Sequence, residues 1–421
     1  MWSRHPGSIR SRQLSDPFRR VWMAPVVLLT LSGCGAGAAS GPTAVVRDSA
    51  GVTIVENSGA TLPEGSGWSL GLDPSLIIGS FDGPEENQLF RVRGAMRLPD
   101  GRIAVANEGT QEIRFYGPDG GHLLSMGGEG EGPGEFSAPL LAGRLGDSLV
   151  VLDRRLRRIS LLHPDQGFVR SLAIAEPVAA YPIMGWFFST GSMLIQDLPG
   201  LDSGGFDQGF QRAPVPYKSC DMTGALLTDF GALPGAENVT VTRQTNHGLA
   251  TILQSVPFGK APQVAVAGDR MYFGSQDDFE IQVLRSDGTL ERIIRMNRAQ
   301  VPVTDADLGA FVEEDLAGRD ESERPSRRQT LDEMPRMEFY PAHGALIADG
   351  EGYLFVEDYR TPGMDRVPVS VFDPEGALVG RFELPGDLRV LEIGENHLLA
   401  VHEDELEVEY LHLYEMTRPG R

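Results

Sequence analysis

Residues 94–139 read GAMRLPDGRIAVANEGTQEIRFYGPDGGHLLSMGGEGEGPGEFSAP. Four short apolar runs fall at 94–98, 102–107, 112–116 and 122–127, separated by turn signals at 99–101, 107–110 and 117–121. Asp-Gly between alternating runs is a strong hairpin signal, because glycine reaches positive φ without a Cβ clash. The stretch therefore predicts a four-stranded antiparallel meander that leaves through a glycine-rich crossover at 127–136. That crossover, GGEGEGPGEF, lacks the Gly-Lys-Ser/Thr ending of a phosphate loop and leads into a strand rather than a helix. Its carboxylates would repel phosphate.

The unit recurs along the chain. Second strands align on Ile103, Leu149, Leu194, Tyr272, Leu354 and Leu398, at successive spacings of 46, 45, 78, 82 and 44 residues. A period near 45 is that of one four-stranded blade of a β-propeller. A glycine-bearing hairpin precedes the last strand of five units: GPDGGHL (117–123), HPDQGFV (163–169), CDMTGAL (220–226), RSDGTL (285–290) and DPEGAL (373–378). The sixth unit, with runs at 389–393, 397–402 and 408–416, lacks this hairpin and would leave an open sheet edge. LIIGSFDGPEENQLF at 76–90 resembles LLSMGGEGEGPGEF at 123–136: a strand, then glycine, acids, Gly-Pro and a closing Phe. Residues 76–79 are thus expected to complete the last blade. The expected fold is all-β, a six-bladed β-propeller with four-stranded antiparallel blades, its ring closed by an N-terminal strand, over residues 51–416.

The two long spacings hold insertions. Residues 232–262 are expected as an extended loop after the third blade. Residues 303–335, between the fourth and fifth blades, are expected to be helical. Thr304 with Asp307 resembles a capping box, and Leu308, Phe311, Val312 and Leu316 follow at helical spacing. This predicts a helix over 305–317 and a second, short one near 327–333. The insertion either stands in solvent or caps one mouth of the ring.

The N-terminus carries an address. Arg4, Arg10, Arg12, Arg19 and Arg20 precede an apolar run at 21–31, too short to span a bilayer. The run ends in Leu31-Ser32-Gly33-Cys34, which resembles a bacterial lipobox, so residues 1–34 are expected to be a signal peptide and Cys34 the lipidated residue. Gly35, not Asp, follows, so the retention signal for the inner membrane is missing. The resemblance implies an outer-membrane lipid anchor facing the periplasm. Residues 35–50 are expected to be a flexible tether and 417–421 a tail.

The formal net charge is −22, and removing a signal with five Arg and one Asp brings it to −22 − 4 = −26. No basic cluster exists in the body, which excludes nucleic acid as a partner. With only Cys34 and Cys220, a cysteine zinc site is excluded by count. Cys220 reads as a small buried hydrophobe.

The stretch VANEGTQEIRFYGPDG…GGEGEGPGEFSAP resembles the NHL repeat, and with the GVTIVENSG opening at 51–59 the whole pattern resembles bacterial six-bladed β-propeller proteins. These motifs specify fold rather than chemistry. Relatives of this kind include zinc lyases and calcium lactonase-like enzymes, which directs attention to possible Ca or Zn ligands. Loops after second strands read NEGTQ (107–111), DRRLR (153–157), DLPG (197–200), SQDDF (275–279), EDYRTPGMDR (357–366) and HEDELE (402–407). They predict an acidic mouth, and hard cations take oxygen clusters. His343, His247, Asp153 and Asp358 are the candidate metal residues. Arg93, Asn107, Asp153, Asp197, Asp278, Asp358 and His402 form the candidate ligand face. No Gly-x-Ser-x-Gly nucleophile motif and no HExxH occurs. The expectation is a monomeric envelope module binding a protein, peptide or glycan, without catalysis. The competing expectation is a metal-dependent lyase or hydrolase at the channel mouth.

Overall fold

The computed structural model describes residues 44–59, 67–198, 209–245 and 248–419, with main chain alone at 241–252. Cys34, the expected signal peptide and His247 lie outside the described residues.

Six blades follow in chain order, each named here from its innermost, first strand outward. Blade one comprises Val92–Arg97, Ile103–Asn107, Glu112–Tyr116 and His122–Gly127, and blade two Pro139–Leu145, Ser148–Asp153, Arg158–His163 and Gly167–Ala173. Blade three comprises Pro182–Phe187, Met193–Asp197, Val215–Cys220 and Leu226–Leu233, and blade four Gln263–Ala267, Arg270–Gly274, Glu280–Arg285 and Leu290–Met296. Blade five comprises Leu346–Ala348, Leu354–Glu357, Arg366–Phe372 and Leu378–Pro385. Blade six has Leu388–Ile393, His397–Glu403 and Glu409–Thr417, and takes its fourth strand, Leu76–Ile78, from the N-terminus. Leu411 pairs with Ile78 and Leu413 with Leu76, antiparallel. The ring closes as the sequence predicts. The first strands neighbour one another in an unbroken circuit, blade six meeting blade one.

Second strands show why such sequences build this ring. Buried on both faces, they read as continuous apolar runs rather than alternating ones. In blade one, Ile103 and Val105 face a core shared with Leu399, Val401 and Ile78 of blade six. Ala104 and Ala106 face the core shared with Leu149 and Val151 of blade two. The period of two sends alternate residues to opposite neighbours. Six separate apolar cores result, one at each blade interface.

The recurring hairpins share one backbone solution. Gly120, Gly167, Gly224, Gly288 and Gly376 take φ of 82°, 82°, 83°, 84° and 86°. A Cβ is strained in that region, which accounts for the glycine in all five.

Three segments differ from expectation. Residues 44–50 are not all tether: Ala44–Ser49 and Val52–Asn57 form a hairpin that extends blade four to six strands, the second strand running parallel to Leu290–Met296. β-branched Val45, Val46, Val52, Thr53, Ile54 and Val55 favour that extended backbone. Residues 232–262 are not merely loop: Asn238–Thr245 and Gly248–Ser255 pair with each other, and Gly209–Gln211 adds a third strand. The expected tail is tied down. Arg418 is buried over Trp68, Tyr353 and Phe355, with its Nη1 2.6 Å from Asp349 Oδ2. A long apolar-and-charged stem of this kind packs as well as pairs.

Candidate functional site

In an antiparallel blade the chain reverses at every turn, so loops after second and fourth strands emerge on one side of the ring. The insertions also leave from these loops. Helix α1, Asp305–Ala317, starts with the expected capping box at Thr304 and Asp307, and helix α2, Arg324–Asp332, follows. Asp315 joins the two helices. Arg327 holds it at 2.6 and 2.8 Å, and Arg319 adds a contact at 2.9 Å, so Arg327 first and Arg319 second keep its carboxyl down at about 2.

An aromatic chain fixes this insertion to the ring. Phe311 of α1 meets Phe258 at 5.4 Å between centroids, Phe258 meets Tyr340 at 4.9 Å, and Tyr340 meets Tyr359 at 5.7 Å. Such pairs add to area burial through edge-to-face attraction. The helical insertion therefore stands on the mouth side, packed on the segment after blade three and the loop of blade five.

Several expected site residues are joined to the backbone. Asn107 Oδ1 accepts the Phe90 N–H at 2.8 Å. Asp153 accepts from Ser137, Ala138 and Leu156 at 2.7, 3.3 and 2.9 Å. Asp197 accepts from Ala180, Tyr181 and Leu198 at 3.0, 2.6 and 3.1 Å. In blade four, Gln276 Oε1 accepts from Ala261 at 2.7 Å. In each case the side chain at the end of a second strand holds the segment that enters the first strand of the same blade. Asn107 and Asp153 are sealed from solvent by this arrangement.

In blade five the corresponding residue, Asp358, pairs with Arg298 instead. The N–H of this blade's entering residue, Gly344, goes to the main-chain oxygen of Glu357 at 2.7 Å. The carboxylate of Glu357, one residue before Asp358, accepts none of the entering N–H groups. It is 3% exposed, and its Oε2 receives Arg360 Nε and Nη2 at 3.1 and 2.9 Å. Burial pushes its pKa up, and the Arg360 guanidinium works against that rise.

Glu357 lines a throat of about 400 Å³ with Gln263, Gln276, Tyr359, Arg360 and Arg389. Arg389 Nη2 lies 3.1 Å from Glu409 Oε1, while Glu409 Oε2 accepts the Val92 N–H at 2.7 Å. Outside the throat is a vestibule of about 860 Å³, walled by Phe258, Phe311, Tyr359, Glu314 and Asp365 among others. Tyr359 and Arg360 line both spaces, so the two hollows adjoin at these residues. A third hollow of about 320 Å³ also borders Tyr359 and contains Asp278, Arg298 and Asp358, the last two paired at 2.6 Å.

The expected acidic mouth is thus a mixture of carboxylate–arginine pairs. Arg93 lies 3.1 Å from Glu108, which also pairs with Arg154. His402 lies 2.8 Å from Asp387 and stacks on His412 at 4.9 Å. His343 is fully buried, edge-on to Phe279, with Nδ1 2.9 Å from the Gly344 carbonyl. Burial lowers its pKa to about 4, so the ring is neutral at pH 7. A Cβ at Gly274 would sit 2.5 Å from that imidazole, which explains the glycine opposite it. Among the described residues, no three His, Cys, Asp or Glu side chains converge as a metal site. His343, Asp153 and Asp358 each serve the separate partners named above.

The sequence reading passed over Tyr359, Arg360, Arg389 and Phe258. The available signal was the loop at 357–366, the longest of the six quoted, with Tyr and Arg adjacent.

No protein-family model matches the chain, and no curated protein matches it by sequence. Among solved structures it is similar to a member of the DUF4221 family from Bacteroides vulgatus, at 11% identity over 84% of this chain and 99% of that one, with a TM-score of 0.48. It is similar to streptogramin B lyase, at 11% identity over 83% of this chain and 98% of that one, TM-score 0.41. It is also similar to regucalcin, a calcium-binding protein from Agrobacterium tumefaciens, at 11% identity over 79% and 93%, TM-score 0.37. Identities this low carry nothing about activity.

Proposed function

We propose that the protein is a lipid-anchored envelope module of the NHL-like propeller type that captures a ligand at the mouth carrying the insertions. The observation behind this reading is the pair of adjoining hollows, throat and vestibule, whose walls share Tyr359 and Arg360. Concave spaces with aromatic walls and a few convergent polar groups are the usual form of ligand sites. The lipobox-like sequence at Cys34 supports the anchor. No helix among the described residues is long and apolar enough to cross a membrane.

A single set of samples tests both parts. Native mass spectrometry after equilibration with envelope extract should show a bound species that is lost in Tyr359→Ala. A chain that retains nothing, or retains the species equally in the variant, sinks the capture reading. Cys34→Ala should move the protein from the membrane to the soluble fraction, and continued sedimentation with membranes would remove the anchor.

A second reading, an enzyme acting at the same throat, draws on Glu357. A buried carboxylate with a raised pKa beside a cavity is what a general acid needs. Turnover of the captured species, followed in Glu357→Gln, separates the two. Elemental mass spectrometry for Zn and Ca on chelator-free protein tests the metal-dependent form of the second reading.

A further inference from the structure

We infer that the throat and vestibule accept a neutral, hydroxyl-rich ligand, a short oligosaccharide without acidic groups. This rests on the capture reading above and narrows it by chemistry.

The ions around the throat are already matched. Arg360 pairs with Glu357, Arg389 with Glu409 and Arg298 with Asp358. An incoming anion would compete with a carboxylate in place, and an incoming cation with a guanidinium in place. Within the throat neither would gain the full attraction of an unpaired partner. The vestibule adds Glu314 and Asp365, which have no cationic partner among the described residues. These disfavour phosphate, uronate and sialate groups, as does the chain charge of −22.

Matched ions still hydrogen-bond. Among the described residues, Glu357 Oε1 accepts from no group, because Oε2 takes both Arg360 contacts. Arg389 uses Nη2 alone, towards Val92 O and Glu409 Oε1, leaving Nε and Nη1 to donate. Gln263 donates through Nε2 to Ala261 and keeps its oxygen. Acceptors and donors thus line a space of about 400 Å³ without an excess charge. A hydroxyl is donor and acceptor at once, and suits this better than a group of one kind.

The walls supply the other requirement. Tyr359 and Phe311 line the vestibule, with the buried Phe258 packed edge-on against Phe311. The C–H face of a pyranose is flat and weakly positive, and packs on the negative face of an aromatic ring while its hydroxyls remain hydrogen-bonded.

The test is an oligosaccharide array with neutral and acidic members, run beside a peptide array, using the full chain released by Cys34→Ala. Neutral oligosaccharides should bind. Tyr359→Ala should weaken that binding about tenfold or more, and the near-isosteric Glu357→Gln roughly fivefold. Unfolding midpoints check that both variants remain folded, and Glu357→Gln carries the test if Tyr359→Ala does not fold. Preference for acidic over neutral members overturns the inference. Binding to peptides alone overturns it while leaving capture intact. Binding to neither array also overturns it, and the native mass spectrum then decides separately whether capture survives.

Discussion

Blades two and five both end their second strand on a buried carboxylate, and the two groups have different surroundings. Asp153 accepts three main-chain N–H groups and touches no cavity described above. Glu357 accepts none of the N–H groups that enter its blade, faces Arg360 and lines the throat. A polar group with all its bonds made to the backbone is structure. One a position earlier in the repeat, which accepts none of the entering N–H groups, is available for a ligand. The entering segment of blade five is held by the main chain instead, Gly344 donating to the Glu357 carbonyl. A Cβ at Gly344 would lie 2.7 Å from the Asp358 carbonyl oxygen, so no larger residue fits without a shift.

The largest expected effect tests the ring on which both blades depend. Deleting residues 76–79 removes the fourth strand of blade six and withdraws Ile78 from the core between blades six and one. Cooperative thermal unfolding should be lost, and an unchanged calorimetric profile would refute the closure. Asp153→Ala comes next. It leaves three main-chain donors without their acceptor, and urea unfolding should report a loss of about 2–4 kcal/mol. The smallest effect is expected in Glu357→Gln, which keeps the side-chain shape and an acceptor for Arg360. Its stability should stay within about 1 kcal/mol of the parent, because Arg360 is partly solvated and retains the Gly386 carbonyl. A loss equal to that of Asp153→Ala would erase the distinction between the blades.

The repeat was readable because each blade solves the same local problem. Strand alternation, the five turn glycines and the capping box at Thr304 depend on contacts close in sequence. The closure at residues 76–78 spans the chain, yet it was also readable, since an incomplete sixth unit and an orphan strand implied each other. The hairpin within 238–255 was missed because no Asn-Gly or Asp-Gly turn marks it. The acidic loops misled in another way. Asp, Asn and Glu at loop positions look alike in sequence whether they face water, backbone or arginine. Asp153 and Asp197 proved to be held by main-chain N–H groups, and Asp358 by Arg298.

The sequence by itself determined a six-bladed ring, its closing strand, the helical insertion and its cap, because periodicity and turn chemistry act locally and repeat. Only the tertiary structure decided which mouth the insertions occupy, which carboxylates are held by backbone, and that Glu357, Tyr359, Arg360 and Arg389 meet in one throat. Those relations join blades four, five and six across long stretches of chain. They depend on where each blade sits in the closed ring, which no residue pattern within one blade records.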